Sequence, residues 1–371
     1  GRDVIALSAG EPDFATPDHV IDAAFEAARQ GQTRYTNAAG TPELKQAIIA
    51  KFKRENDLDY TEDEVMASTG GKQAIFNSLV ATVEAGDEVI IPAPYWISYV
   101  DITKFAGGIP VIVPCAVEND FKLTPELLEA SITPKTRWLI LNSPSNPCGA
   151  VYSADDLRAL ADVLVRYPDI AIFSDDIYEH IIYDDFEFAT IAAVAPELKD
   201  RTVTMNGASK VYAMTGWRMG YCGAPATLVK QMTKLQQQTT GCASAISQAA
   251  AVAALSGPQD FVQERTARFQ ERRDMVVSMI NQARGLKCPV PKGAFYVFPS
   301  CADLIGKKTP DGKVIETDQD LTLYFLESEG VAVVHGGAYG MSPFFRISFA
   351  ASDDELREAC ERIQRACASL I

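Results

Sequence analysis

TRWLILNSPSNPCGAVYSADDLRALADVLVRYPDIAIFSDD, Thr136–Asp176, holds the pattern that decides the fold. An apolar β-rich run, TRWLILN, meets a Ser/Pro/Asn/Gly cluster. DLRALADVLVRY then carries apolar residues at helical spacing, and a second β-rich run, DIAIFSD, follows. A helix between two short strands is the mark of a crossover joining parallel neighbours.

Outward from this unit the alternation continues. EVIIPAP, IPVIVPC, TVTMN and RMGYCGAP read as further short strands. A helix is expected from about Gln73 to Glu84, after Gly70 and Gly71, and two more begin at Thr16-Pro17 and Thr41-Pro42, where an N-cap residue precedes a proline. Strands alternating with helices predict an α/β protein with a mostly parallel central sheet covered by helices on both faces. The pattern changes at residues 260–285, which read as one long amphipathic helix. AFYVFPS, the helical LTLYFLESEG, the strands VAVV and FFRISFA, and a closing helix capped at Ser352 come after it. This tail predicts a smaller α+β domain joined by the N-terminal strand IALSAG. The expected division is residues 15–279 for the large domain, and 1–14 with 280–371 for the small one. The chain opens at GRDVIALSAGEPDF, close to a strand, so its N-terminal segment is expected to be incomplete.

A length of 371 residues exceeds what one hydrophobic core usually supports. The formal charge of −15 argues against a nucleic-acid surface, which needs clustered Lys and Arg, though it permits a local basic pocket for a small anion. Eight scattered cysteines without a CxxC pair read as free thiols in a reducing, cytoplasmic compartment. Three distant histidines give no metal-ligand spacing, and no metal is expected. No apolar run is long enough to span a membrane.

In α/β sheets of this kind, ligands bind beyond the carboxyl ends of the strands. The polar residues there are Tyr95 and Trp96, Asn142 and Asn146, Asp175 and Tyr178, and Lys210. Gly70, Gly71 and Lys72 precede a helix, and FFRISFA isolates Arg346 in an apolar strand. Singly, most have plain readings. Asp175 could cap a turn, Asn146 before Pro147 could form one, Trp96 could be core, and Tyr178 could close a buried edge. A glycine pair before a helix is a weak anion signal alone. The two cations are harder to explain. Arg346 needs a counter-ion if buried, and Lys210 sits in MNGASKVYAMTGWRMGY, Met205–Tyr221, without an evident partner. Desolvation would turn that lysine into a nucleophilic amine. An amine, an acid for a ring nitrogen, a flat aromatic, donors to a ring oxygen and an anion cradle together make the set that pyridoxal phosphate requires.

SDDIYEH, NGASKVYAMTGWRMGY, NSPSNPCG and FRISFA also resemble, in order and spacing, the signature segments of the fold-type I, class I aminotransferases of the aspartate aminotransferase family. The resemblance covers nearly the whole chain, and SK…TGWR is its most specific element. It is nearest the bacterial-type branch that includes aspartate and aspartate/prephenate aminotransferases. It implies that Lys210 is the Schiff-base lysine and proton shuttle. Asp175 would pair with the ring nitrogen, Tyr178 and Asn146 would bind the ring oxygen, and Trp96 would stack on the ring. Arg218 would bind the phosphate, helped by Gly71, Lys72 and Ser209. Arg346 would take the substrate α-carboxylate, with Trp96, Asn146 and the backbone of Gly10 beside the substrate. Tyr35 would reach the phosphate of a neighbouring subunit, which implies a homodimer with shared sites.

Three departures stand out. Gly207 occupies a position where some members have serine, SDD stands for SDE with Asp176 as a structural acid, and NPCG stands for NPTG. The arginine that one branch uses for the side-chain carboxylate of aspartate is not identifiable, and Lys72 is the candidate substitute. The expected reaction is amino transfer from L-aspartate to 2-oxoglutarate, with prephenate as a further acceptor. The alternatives are an alanine or aromatic aminotransferase, a carbon–sulfur lyase of the same fold, and a pyridoxal-phosphate-binding regulator without turnover.

Overall fold

The computed structural model describes residues 3–371. Along the chain run β1 (Ile5–Ala6), α1 (Asp18–Arg29), α2 (Pro42–Asn56), β2 (Val65–Ser68), α3 (Gly71–Val80), β3 (Glu88–Ala93), α4 (Ser98–Phe105), β4 (Ile109–Pro114), α5 (Pro125–Ser131), β5 (Thr136–Asn142), α6 (Ala154–Leu164) and β6 (Ala171–Asp175). Then follow α7 (Ile191–Val194), β7 (Thr202–Gly207), β8 (Gly220–Gly223), α8 (Ala226–Thr239), α9 (Ala245–Ser256), α10 (Asp260–Asn281), β9 (Tyr296–Val297), α11 (Asp318–Tyr324), β10 (Val331–Ala332), β11 (Val334–His335), β12 (Phe345–Ser348) and α12 (Asp353–Ser369).

The α/β architecture predicted from the sequence is the one observed. A seven-stranded sheet has the order β2-β8-β7-β6-β5-β3-β4. It is parallel except for β8, which runs antiparallel to β7 and β2. Side chains alternate across it, as strand geometry demands. Val89, Ile91, Trp138, Ile140 and Phe173 enter the core on one face, while Ile90, Leu139, Leu141 and Ile172 enter the core on the other. Burial on both faces explains why these strands read as continuous apolar runs.

The order of connections reverses between β3 and β5, and there the carboxyl ends diverge into a crevice. Asn142 and Asp175 stand side by side in register at the ends of β5 and β6. A smaller sheet, β11-β12-β9, is antiparallel and carries Arg346 opposite Val334. β1 pairs with β10, and Leu7 bridges the small elements by donating to Ala332 O and accepting from Ser348 N. Leu7, Phe295, Phe345 and Ile347 share one core with Val276 and Ile280 of α10 and with Leu356 and Ile363 of α12.

Several local expectations need correction. α3 spans Gly71–Val80, starting two residues before Gln73 and stopping well short of Glu84. α10 ends at Asn281, short of residue 285, and Gly285 beyond it has φ +78. Such a left-handed conformation is one that glycine adopts at little cost. The LTLYFLESEG segment is α11 followed by a π-helical turn, Phe325–Glu329. Thr16 is not the cap of α1; its hydroxyl donates to Ala213 O and leaves Pro17 at that position. At α2 the expected pattern is present, with Thr41 accepting from Leu44 N and Pro42 in the first turn.

Candidate active site

A cavity of about 670 Å³ opens at the carboxyl ends of the sheet, between it and the small sheet. Gly10, Gly71, Lys72, Trp96, Asn146, Asp175, Tyr178, Ser209, Lys210, Arg218 and Arg346 all line it. Tyr35 does not. It is 97% exposed on the surface of this chain.

Asp175 ends β6 and is 3% exposed. It accepts hydrogen bonds from the Tyr99 hydroxyl at 2.5 Å and from Ile177 N at 3.3 Å. Burial pushes its carboxyl up to about 6, against the hydrogen bonds and the nearby Lys210 charge that favour the anion. Lys210 lies three residues beyond β7. Its Nζ donates to Gly10 O at 2.5 Å and stands 5.5 Å from the centre of the Tyr178 ring. Burial lowers its amine from 10.5 to about 8, and Asp175 opposes the shift. Because the amine is weakly basic for a lysine, a useful fraction is unprotonated near neutral pH.

Tyr178 is buried, and burial raises its phenol well above the ordinary value. Its hydroxyl is 2.8 Å from that of Tyr296. Arg346 on β12 is 6% exposed. Its Nη1 donates to Asn146 Oδ1 at 2.9 Å and its Nη2 to Ser8 O at 2.6 Å. Nε is buried without a hydrogen-bond partner among the described residues. The arginine fixes the Asn146 amide with its oxygen toward the guanidinium, so the NH2 end is the one that could serve an oxygen acceptor.

The other end of the cavity is built for an anion. Gly70 precedes α3 with φ +79, and no side chain caps that helix. A Cβ on Gly70 would come within 2.5 Å of Arg218 Nη2, and one on Gly71 within 2.8 Å of the Met205 sulfur. Backbone, guanidinium and thioether therefore close together around an open helix N-terminus, where free N–H groups and the helix dipole favour negative charge. Ser209 sits on the same wall, and Arg218 is held by Nη1 donating to Thr215 O at 2.8 Å. Lys72 places its Nζ 5.0 Å from the centre of the Trp96 ring. The Gly207 departure has a steric reason. A Cβ there would meet Met219 O at 2.9 Å and Ile177 Cδ1 at 3.0 Å, so a serine would not fit this backbone.

Among the described residues, no carboxylate pairs with Lys72, Lys210, Arg218 or Arg346. Their partners are carbonyl oxygens, an amide oxygen and aromatic faces. One other cluster has metal-ligand chemistry. Glu55, Glu179 and His180 bring ligand atoms within 4.8 Å of one another. The buried Lys51 ammonium contacts Glu179 and lies 3.6 Å from Glu55, so a cation already occupies that position.

Sequence reasoning missed Tyr99, Tyr296 and Tyr339. Tyr99 holds Asp175, Tyr296 touches Tyr178, and both Tyr296 and Tyr339 face Arg346, at 4.4 and 5.2 Å from ring centre to guanidinium carbon. Buried tyrosines look like core in a sequence, and only their partners across the fold distinguish them.

The family model for aminotransferase class I and II matches residues 2–363. The chain is 58% identical to the aspartate aminotransferase of Rhizobium meliloti strain 1021, covering 99% of this chain and 90% of the relative. It is 57% identical to a probable aspartate/prephenate aminotransferase of Rhizobium leguminosarum bv. phaseoli, covering 99% and 92%. The crystal structure of the aspartate aminotransferase from Rhizobium meliloti superposes with a TM-score of 0.98 at 57% identity, covering 99% of this chain and 92% of that one.

Proposed function

The chain belongs to the class I and II aminotransferases, and from that premise we propose that it transfers the amino group of L-aspartate to 2-oxoglutarate, giving oxaloacetate and L-glutamate. Prephenate, also a dicarboxylate, is the further acceptor this reading includes. The family works with pyridoxal 5'-phosphate, and the residues present fit that group. The uncapped α3 N-terminus, Ser209 and Arg218 suit its phosphate, and the absence of side chains at Gly70 and Gly71 lets the backbone pack close to Arg218 and Met205. When bound, the cofactor supplies an aldehyde carbon and an electron-withdrawing ring.

The protein's own groups would then act as follows. Lys210 would be the amine that engages the aldehyde and then the base that carries the proton from the substrate α-carbon. Asp175, held by Tyr99, would pair with the ring nitrogen and favour its protonated form. Tyr178 and the Asn146 amide would donate to the ring oxygen, and Trp96 would cover the ring face. Arg346 would hold the α-carboxylate in its planar fork, orienting the substrate, and the carboxylate would supply the anion that the buried guanidinium lacks. Gly10, on the N-terminal segment, closes over the substrate through its backbone. The division into residues 15–279 and 1–14 with 280–371 belongs to the same proposal, because substrate bridging the two parts would draw them together and exclude water. So do a homodimer in which Tyr35 serves the neighbouring subunit's site, and a cytoplasmic location consistent with eight free cysteines.

The observation that carries the dicarboxylate reading is Lys72, a cation on the cavity wall over Trp96 with no carboxylate partner among the described residues. Lys72→Ala should raise KM for aspartate by about 10- to 100-fold, the value of one charge-assisted contact, and change KM for alanine or phenylalanine much less. Equal losses for all three donors would refute the second-carboxylate role.

A further inference from the structure

We propose that Tyr296 is a positioning residue for the cofactor's ring oxygen: its hydroxyl sets the direction and strength of the hydrogen bond that Tyr178 donates there. The inference rests on the pyridoxal-phosphate reading and assigns a role to a side chain outside that scheme.

The geometry is specific. Tyr296 lies on β9, is fully buried, and pairs with Ser348 two residues past Arg346. Its ring faces the Arg346 guanidinium at 4.4 Å, and its hydroxyl is 2.8 Å from the Tyr178 hydroxyl. Gly10 is packed so closely that a Cβ on it would stand 2.9 Å from the Tyr296 oxygen. One tyrosine therefore touches the candidate carboxylate-binding arginine, the ring-oxygen donor and the N-terminal segment.

A phenol has a single proton to donate. Where Tyr178 donates to Tyr296, it has none for the cofactor. Where Tyr178 donates to the ring oxygen, Tyr296 must turn its own proton toward Tyr178. In that second arrangement the two hydroxyls form a chain, and each bond polarises the next. Tyr178 then becomes a stronger donor and stabilises negative charge on the ring oxygen. A stabilised ring oxygen competes less well for the proton of the Lys210–cofactor bond, so that proton is lost at lower pH. The charged and titratable groups around the pair are Arg346 on β12, Asp175 at the end of β6, Tyr99 on α4, Lys210 beyond β7 and Tyr339. Glu11 and Arg218 also act on Lys210. None of these is altered by replacing Tyr296 with phenylalanine.

The test is a visible-absorbance pH titration of the holoenzyme, which reads protonation of the lysine–cofactor bond without turnover. Tyr296→Phe should move the midpoint up by about half a pH unit, as expected for one lost neutral hydrogen bond. Its thermal unfolding midpoint should stay close to that of the wild type. Tyr178→Phe should move the titration further, and adding Tyr296→Phe to it should move it no more. A Tyr296→Phe midpoint equal to wild type, or a shift that persists undiminished in the Tyr178→Phe background, overturns the proposal. If Tyr296→Phe yields no folded holoenzyme, Gly10→Ala keeps the ring and crowds its oxygen. That variant must then show the upward shift, or the proposal fails. A wild-type protein without any lysine-bound chromophore would instead refute the cofactor reading, and this inference with it.

Discussion

The molecule buries two kinds of cation, and they are treated in opposite ways. Away from the cavity, Arg272 is paired with Asp13 at 2.8 Å and Asp353 at 3.0 Å, Arg273 with Asp184 at 2.6 Å and Asp274 at 2.7 Å, and Lys51 with Glu179. Inside the cavity, Arg346 is as buried as Arg272, yet among the described residues it meets only an amide oxygen, a carbonyl and two ring faces. Leaving a buried charge unpaired costs several kcal/mol, so a fold retains one only where something else supplies the anion. The paired set fastens elements together. Arg346, buried without a carboxylate partner among the described residues, marks where a ligand's carboxylate belongs.

Removing a member of each set should separate the two roles. Arg346→Leu should lower kcat/KM for every amino-acid donor by about three orders of magnitude, roughly 4 kcal/mol, because each donor has an α-carboxylate. The same variant should unfold at the wild-type temperature or above it, since it removes a charge that had no carboxylate partner. Steady-state kinetics and a melting curve check both halves. A marked loss of stability with unchanged kcat/KM would erase the contrast. Lys51→Met should do the reverse, leaving Glu179 charged and buried at a cost of about 3 kcal/mol. Turnover by the folded fraction should stay within a few-fold of wild type. Denaturant unfolding of Lys51→Met at wild-type stability would show that Lys51 is not an anchor.

The contrast was partly legible in the chain. Lys210 and Arg346 stand out because each is a lone charge in an apolar stretch, and the strand–helix alternation around Thr136–Asp176 places such residues at the carboxyl edge of a sheet. Which cations are paired was not legible. Arg272 and Arg273 sit in a helix dense with Glu and Arg, where a solvated face is the natural reading. Asp13 and Asp353 for Arg272, and Asp184 for Arg273, are brought in by the tertiary fold. The tyrosines were hidden for the same reason, since Tyr99 and Asp175 are 76 positions apart and Tyr178 and Tyr296 are 118 apart. β2 is not legible in the sequence, because four residues all buried carry no alternation. Tyr35 was singled out by resemblance alone, and its exposure on this chain leaves its role to a second subunit.

A milder test asks how far Asp175 compensates Lys210. The two are not a salt bridge, but the Asp175 charge opposes the burial that lowers the Lys210 amine to about 8. An amine must be unprotonated to attack an aldehyde, so capture of added pyridoxal phosphate by cofactor-stripped enzyme should rise with pH and level off above about 8. Between pH 7 and the plateau the gain is about tenfold, as follows from one proton lost per amine. Asp175→Asn removes the charge that favours the ammonium, so its midpoint should lie below that of wild type. Stopped-flow absorbance across the pH series reads both. Capture that keeps accelerating through pH 10 would mean that Lys210 behaves as an ordinary solvated lysine. The line between paired and unpaired buried cations would then have to be drawn without it.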